Sequence, residues 1–428
     1  MLIDIGPRKC GHSIRESIFQ RTLLIRAKRA WEETIMQSKW ISGTASYGIA
    51  VSAIIGMLAI TGAVGAQAAD LRLGLDMSLT GGTDDFGKAA RMAFELAVKE
   101  YNAKGGYKGQ KVETVIYDDE TKPAKGVENI TRLITRDKVF GIVGPANSGV
   151  ALAVIDIAQK QQIPLMVPLP TSEPIIERYQ TAPKSYIFRT SLNDGIQTSF
   201  IIAHIKKKGY KRLGLMHDST GWGQSGRETA NRMLKEANLT ITAGPEVFDQ
   251  NDTDMTAQLT KLKDANVDFI IAYALAPAGV QISKSMQKIG LKVPWTSTWA
   301  FVAPNFLKLG SKELAEGVMT VTSYTIDHSA NAKALHAKLE TDFKDQGGDF
   351  HPVASAQTYD AVRLMLRALD KVGPDPQKIR DALEEIDDFT EAVTKMPPKP
   401  FSKTNHEALG PGTGFLAVWR DGKLVPAD

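Results

Sequence analysis

The chain has one cysteine, Cys10, among 428 residues. The body that follows it therefore has no disulfide framework, no thiolate nucleophile and no cysteine metal site. Its seven histidines (His12, His204, His217, His328, His336, His351 and His406) show no metal-ligand spacing. His217 stands beside Asp218 at a strand end, where a structural role is the simpler reading. No G-x-S-x-G, H-E-x-x-H or Cys/His pair is present, so the usual hydrolase and zinc-peptidase signatures are missing. An excess of charge is missing too. Eight Lys/Arg and four Asp/Glu precede Ala69, which leaves 44 of each sign in the remainder. A neutral body without a basic stripe argues against nucleic acid as a partner.

What is present begins with an apolar stretch, Ile49 to Val64, that ends in Ala66-Gln67-Ala68. This is the small-x-small pattern of a secretory cleavage site, so export to the periplasm through a cleavable signal is expected over residues 1–68. A membrane anchor is the alternative, and Met36 is an alternative start. With 43% hydrophobic residues the chain can bury sizeable cores. Past Asp70, short apolar runs alternate with helix-length amphipathic stretches. LRLGLDM, VETVIYDD, VFGIVG and IPLMVP each precede one, and RLGLMHD, VDFIIAY and VPWTSTW restart the rhythm. Such alternation predicts an α/β fold with two doubly wound parallel-sheet lobes, the strands buried on both faces.

Ligands on such sheets bind beyond the carboxyl ends of the strands. Two strand ends there are built from small residues: Gly144 to Gly149 after VFGIV, and Pro168 to Ser172 after IPLMV. Each leads into a helix start, whose unpaired N–H groups and partial positive charge suit an anion. The hydroxyls of Ser148, Thr171 and Ser172 add donors at the same edge. Either these loops hold a carboxylate, or the hydroxyls simply cap their helices. Asp118-Asp119 raises an acidic-pocket reading, but capping before Pro123 is the plainer role. Leu75 to Gly87 is Gly-rich without the spacing of a phosphate loop. No catalytic set or metal set is found, and no cofactor is expected. An exported two-lobed protein of this kind is most simply a binding protein, not an enzyme.

The stretch NAKGGYKGQKVETVIYDDETKP, from Asn102 to Pro123, resembles the branched-chain amino-acid-binding proteins of bacterial ABC transporters. MSLTGG before it, and GPANS, VPLPTSEP, FRTS, HDSTGWGQSG and the helix from Ala354 through Leu369 after it, stand in the order of that family, the type I periplasmic binding proteins. The resemblance implies a clamshell of two lobes joined by three crossover strands, near Phe188-Arg189, Val318 to Val321 and Thr404 to Gly410. Lobe 1 is then expected over residues 70–189 plus 321–405, and lobe 2 over 190–320 plus 406–428.

Carried over position by position, the family's carboxylate-binding serine falls on Ser148. Its carbonyl and hydroxyl pair falls on Leu169 and Thr171. Its aromatic from the first strand-end loop falls on Phe86, and that of the second lobe on Trp222. A family tyrosine falls on Leu275, and the acidic partner of the ligand ammonium falls on Trp299, so both positions depart from the pattern. Thr121 and Asn147 replace the family's cysteine pair. Burying an unpartnered ammonium costs several kcal/mol, of which a cation–π contact returns about 1–2. The expected solute is therefore an amino acid or a related organic carboxylate, aromatic acids included. The alternative role for each aromatic is core packing. The implied partners are that solute and the permease and ATPase subunits of an importer, with the binding protein a monomer. A sensor that reports to a receptor uses the same fold and stays open as an alternative.

Overall fold

The computed structural model describes residues 71–302, 304–346 and 351–427. The signal sequence expected over residues 1–68 lies outside the described residues. The first half of the described chain runs β1 (Arg72–Met77), α1 (Asp84–Ala103), β2 (Glu113–Asp118), α2 (Pro123–Thr135), β3 (Gly141–Val143), α3 (Ser148–Gln161), β4 (Leu165–Val167), α4 (Pro174–Gln180) and β5 (Ile187–Arg189). These five strands form one sheet in the order β2-β1-β3-β4-β5, and every pairing in it is parallel. Helices cover both faces, which is why Leu73, Leu75, Ile142, Leu165 and Ile187 are all fully buried.

The second series is α5 (Asp194–Lys208), β6 (Leu213–Asp218), α6 (Gly221–Glu236), β7 (Ile241–Phe248), α7 (Thr256–Asp264), β8 (Phe269–Tyr273), α8 (Ala276–Lys288) and β9 (Trp295–Ser297). Two short helices, α9 (Pro304–Leu309) and α10 (Lys312–Ala315), lead into β10 (Met319–Thr322). The chain then returns through α11 (Ala330–Asp342), α12 (Pro352–Val372) and α13 (Pro376–Glu385) before closing with β11 (Phe415–Arg420) and β12 (Lys423–Pro426). The second sheet has the order β12-β11-β10-β9-β8-β6-β7. It is parallel from β7 to β10 and carries an antiparallel edge made by β11 and β12.

Three passages link the two sheets. β5 leaves the first sheet into α5; β10 leaves the second towards α11 and α12, which pack on the first; and the chain beyond α13 passes β5 on its way to β11. That third passage is held against β5 by two backbone bonds, Arg189 N to His406 O and Ala408 N to Arg189 O, each at 2.9 Å. The guanidinium of Arg189, fully buried, pairs with Glu407 and donates to the Ser172 carbonyl at 2.7 Å. A charge buried this deeply persists because every one of its partners is fixed. It ties the junction between the lobes to the strand-end loop that carries Thr171 and Ser172.

One expectation is corrected. Asp118 and Asp119 do not cap α2, whose N-cap is Lys122 without a side-chain bond. They fasten the β1–α1 loop instead: Asp118 Oδ1 accepts from the N–H groups of Leu79 (2.9 Å) and Thr80 (3.2 Å), and Asp119 Oδ1 accepts from the Ser78 hydroxyl (2.5 Å). The two aspartates thereby fix the entry to α1 and the position of Phe86.

Candidate ligand-binding cleft

All seven residues singled out in the sequence line one cavity between the two lobes. Phe86, Ser148, Leu169 and Thr171 come from the first lobe, and Trp222, Leu275 and Trp299 from the second; Thr83, Ala146, Asn147, Pro170 and Ala300 complete the wall. The cavity volume is about 30 Å³, room for little more than a water molecule, so the walls of the two lobes stand nearly in contact.

The hydroxyls of the first lobe are free of capping duty. Asn147, not Ser148, caps α3: its side-chain oxygen accepts from Gly149 N at 2.7 Å. Ser148 is the first helical residue, and α4 has no side-chain cap at all. Ser148 Oγ instead accepts from the N–H groups of Thr171 (3.2 Å) and Ser172 (3.4 Å). A hydroxyl whose oxygen is engaged twice has one proton left to donate. Gly144 makes this tight strand end possible. Its φ of +129° is open to glycine, and a Cβ there would lie 1.9 Å from the Asp76 carbonyl oxygen.

The second lobe answers with Trp222 in the first turn of α6, whose N-cap is Thr220. The Trp222 indole Nε1 donates to Thr171 Oγ1 across the cleft at 3.0 Å. GWGQSG, Gly221 to Gly226, has the G-x-G-x-x-G spacing of a dinucleotide loop, but packing accounts for each glycine. A Cβ would lie 3.1 Å from Gly149 Cα at Gly221, 2.2 Å from the Asp218 carbonyl oxygen at Gly223, and 2.2 Å from the Tyr273 ring at Gly226. The starts of α3 and α6 therefore abut across the cleft, bringing two partially positive helix ends to one place. Beside them Glu173 of the first lobe accepts from Thr229 (2.8 Å) and Arg232 (2.6 Å) of the second.

The far wall is aromatic. Trp299 stands edge-on to Phe86, centroids 5.0 Å apart at 73°. Both rings rest on His351, at 5.0 Å and 4.7 Å. Trp299 is held by its backbone N–H, which donates to Gln197 Oε1 of α5 at 2.9 Å. Leu275 precedes α8, and the neighbouring Tyr273 points away into the core, its hydroxyl 2.9 Å from that of Thr198. His217 is buried and bonds the Asp218 carbonyl through Nδ1 at 2.7 Å, a structural role. Gln197, His351 and the buried Asp194 were not singled out in the sequence. Their signal was faint: Asp194 and Gln197 lie three apart at a helix start, where polar residues ordinarily face water.

Among the described residues no carboxylate lines the cavity. Two buried titratable groups stand just behind it. Burial pushes the His351 imidazole down to about 3, so it is neutral, and its Nδ1 accepts from Ala354 N at 3.3 Å. Burial pushes the Asp194 carboxyl up to about 7, opposed by the Thr171 hydroxyl, the Arg189 charge and the Trp222 indole.

Comparison with known proteins places this architecture. The family model described as periplasmic binding protein matches residues 70–423. The chain belongs to that family. Two relatives are similar over most of their length. Leu/Ile/Val-binding protein homolog 2 of Brucella abortus is 28% identical over 368 residues, 84% of this chain and 93% of that protein. The leucine-specific-binding protein of Salmonella typhimurium is 25% identical over 323 residues, 74% and 84% of the two chains. Among solved structures, a type 1 periplasmic binding protein from Bordetella pertussis superposes with a TM-score of 0.74 at 26% identity, covering 84% of this chain and all 100% of that one. The branched-chain amino acid transporter substrate-binding protein LivJ from Streptococcus pneumoniae, in complex with isoleucine, gives 0.72 at 24%, over 83% and 97%. An ABC-transporter solute-binding protein from R. palustris in complex with benzoate gives 0.72 at 22%, over 83% and 95%. Within the family its fold is that of the type I periplasmic binding proteins.

Proposed function

We propose that the protein is the periplasmic solute-capturing component of an ABC importer. Its solute is a small organic carboxylate with an apolar or aromatic body, held between the lobes. The observation that carries this reading is Ser148. Its hydroxyl is released from capping by Asn147, oriented by two N–H donors, and set in the same cavity wall as the apolar side chains of Phe86, Leu275, Trp222 and Trp299. The remaining proton of Ser148, the start of α3 and the facing start of α6 favour a negative charge at this end. The rings at the other end favour an apolar body.

The relatives support capture of amino acids, and the fold itself accommodates isoleucine in one neighbour and benzoate in another. Both ligand classes carry a carboxylate on an apolar body. Thermal melting of the exported protein with leucine, isoleucine, valine, phenylalanine, their 2-oxo acids and benzoate tests the reading. A carboxylate at a hundredfold excess over its Kd stabilises by about 2.7 kcal/mol and raises Tm by a few degrees. A panel in which no carboxylate shifts Tm would overturn it.

A further inference from the structure

We propose that Asp194 is a specificity-determining positioning residue: acting through the Thr171 hydroxyl, it decides whether that hydroxyl offers the solute a proton or a lone pair. The inference rests on the reading of the cleft as a carboxylate site, and it addresses what that reading leaves open, the preference between amine-bearing and amine-free acids.

Asp194 opens α5, and its backbone N–H donates to the Thr171 carbonyl at 2.8 Å. Its side chain is completely buried, and neither carboxylate oxygen completes a hydrogen bond. A buried carboxyl in that condition is costly and takes any proton its neighbours can offer. The groups around it are few. Arg189 on β5 is committed to Glu407 and to the Ser172 carbonyl. Glu173, ahead of α4, is committed to Thr229 and Arg232. Tyr273 on β8 is paired with Thr198. Trp222 on α6 spends its one N–H on Thr171. The Thr171 hydroxyl is left with an unspent proton.

A threonine hydroxyl has one proton and two lone pairs, and it rotates freely about its C–O bond. The indole N–H, a donor only, occupies one lone pair of Thr171 Oγ1. One proton and one lone pair remain, and Asp194 sets which of them faces the cavity. Ionised, Asp194 takes the proton, and the lone pair is left to accept an ammonium N–H while repelling a carboxylate oxygen. Protonated, Asp194 releases the Thr171 proton to the solute's carboxylate. Burial lifts Asp194 to about 7, so both states are populated near neutral pH.

The test is calorimetry of matched pairs, phenylalanine against phenylpyruvate and leucine against 4-methyl-2-oxopentanoate, between about pH 6 and pH 8. In the unmodified protein the preference for the amino acid over the 2-oxo acid should rise about tenfold across that range. In Asp194→Asn the preference should be flat and displaced towards the 2-oxo acid. Thr171→Val, which keeps Asp194 and removes the hydroxyl, should also be flat, and it carries the test if Asp194→Asn does not fold. A preference that is independent of pH in the unmodified protein and unchanged in either variant overturns the role of Asp194. If Ser148→Ala still weakens both members of each pair in that case, the carboxylate cleft itself stands. Absence of binding by every carboxylate overturns both.

Discussion

The indole nitrogen of Trp222 and the hydroxyl of Thr171 meet at 3.0 Å across the boundary between the two lobes. Thr171 lies in the loop after β4 of one sheet and Trp222 in the first turn of the helix after β6 of the other, so the bond exists only while the lobes are together. The carboxylate of Glu173, two residues beyond Thr171, reaches Thr229 and Arg232 on the same helix as Trp222. The closed arrangement thus carries its own polar contacts beside the cavity, and a solute that touches both walls adds to them.

Closure should therefore be measurable. Small-angle scattering is expected to show a smaller radius of gyration at saturating solute than without it. Glu173→Ala removes contacts made only in the closed state, which are partly exposed and worth about 1 kcal/mol. Affinity should fall about fivefold, with the apolar preference kept. An identical scattering profile with and without solute would argue for a rigid module.

The second prediction concerns acid. His351 caps α12 through Nδ1 and is held neutral down to about pH 3 by burial. The unfolded chain takes up a proton near the ordinary imidazole pKa of about 6.5, which the fold refuses. The contribution is therefore complete above about pH 6.5 and is lost as pH falls towards 3, at about 1.4 kcal/mol per unit. His351→Asn keeps a capping acceptor and removes the titration. Urea melts at about pH 7, 6 and 5 should show the unmodified protein losing stability faster than the variant. Parallel losses would place the acid-sensitive group elsewhere.

The third prediction concerns selectivity at the aromatic wall. Trp299 lines the cavity and is packed against Phe86 and His351. Trp299→Glu gives an ammonium a buried partner and sets an unpaired negative charge against an amine-free acid. The preference between phenylalanine and phenylpyruvate should move at least tenfold towards the amino acid. An unchanged ratio would remove Trp299 from the site.

The sheet strands and the strand-end loops were legible in the sequence because local pattern encodes them. Ser148, Thr171 and Phe86 sit where short apolar runs stop at small residues, and a strand buried on both faces can end in few other ways. The return of the chain was harder to read. α11 buries only Ala332, Leu335 and Leu339, too thin an apolar stripe to stand out. The β11–β12 edge turns at Asp421-Gly422, a local hairpin signal, yet its partner β10 lies far off in sequence. Asp194, Gln197 and His351 were illegible for a different reason. Their burial is created by loops arriving from elsewhere, and no periodicity records which polar side chain ends beneath another element. The role of Asp118 and Asp119 was missed likewise, since they fasten a loop some forty residues upstream instead of the helix that follows.

The most direct measurement is calorimetry of the protein, freed of solute by unfolding and refolding, against leucine and phenylalanine, their 2-oxo acids, and the corresponding amides. The account predicts saturable binding of at least one carboxylate and none of its uncharged amide. It also predicts a loss of about ten- to a hundredfold in Ser148→Ala, the worth of one charge-assisted hydrogen bond of about 1.5–3 kcal/mol. Equal binding of acid and amide, or a Ser148→Ala variant that binds as tightly as the unmodified protein, would contradict it.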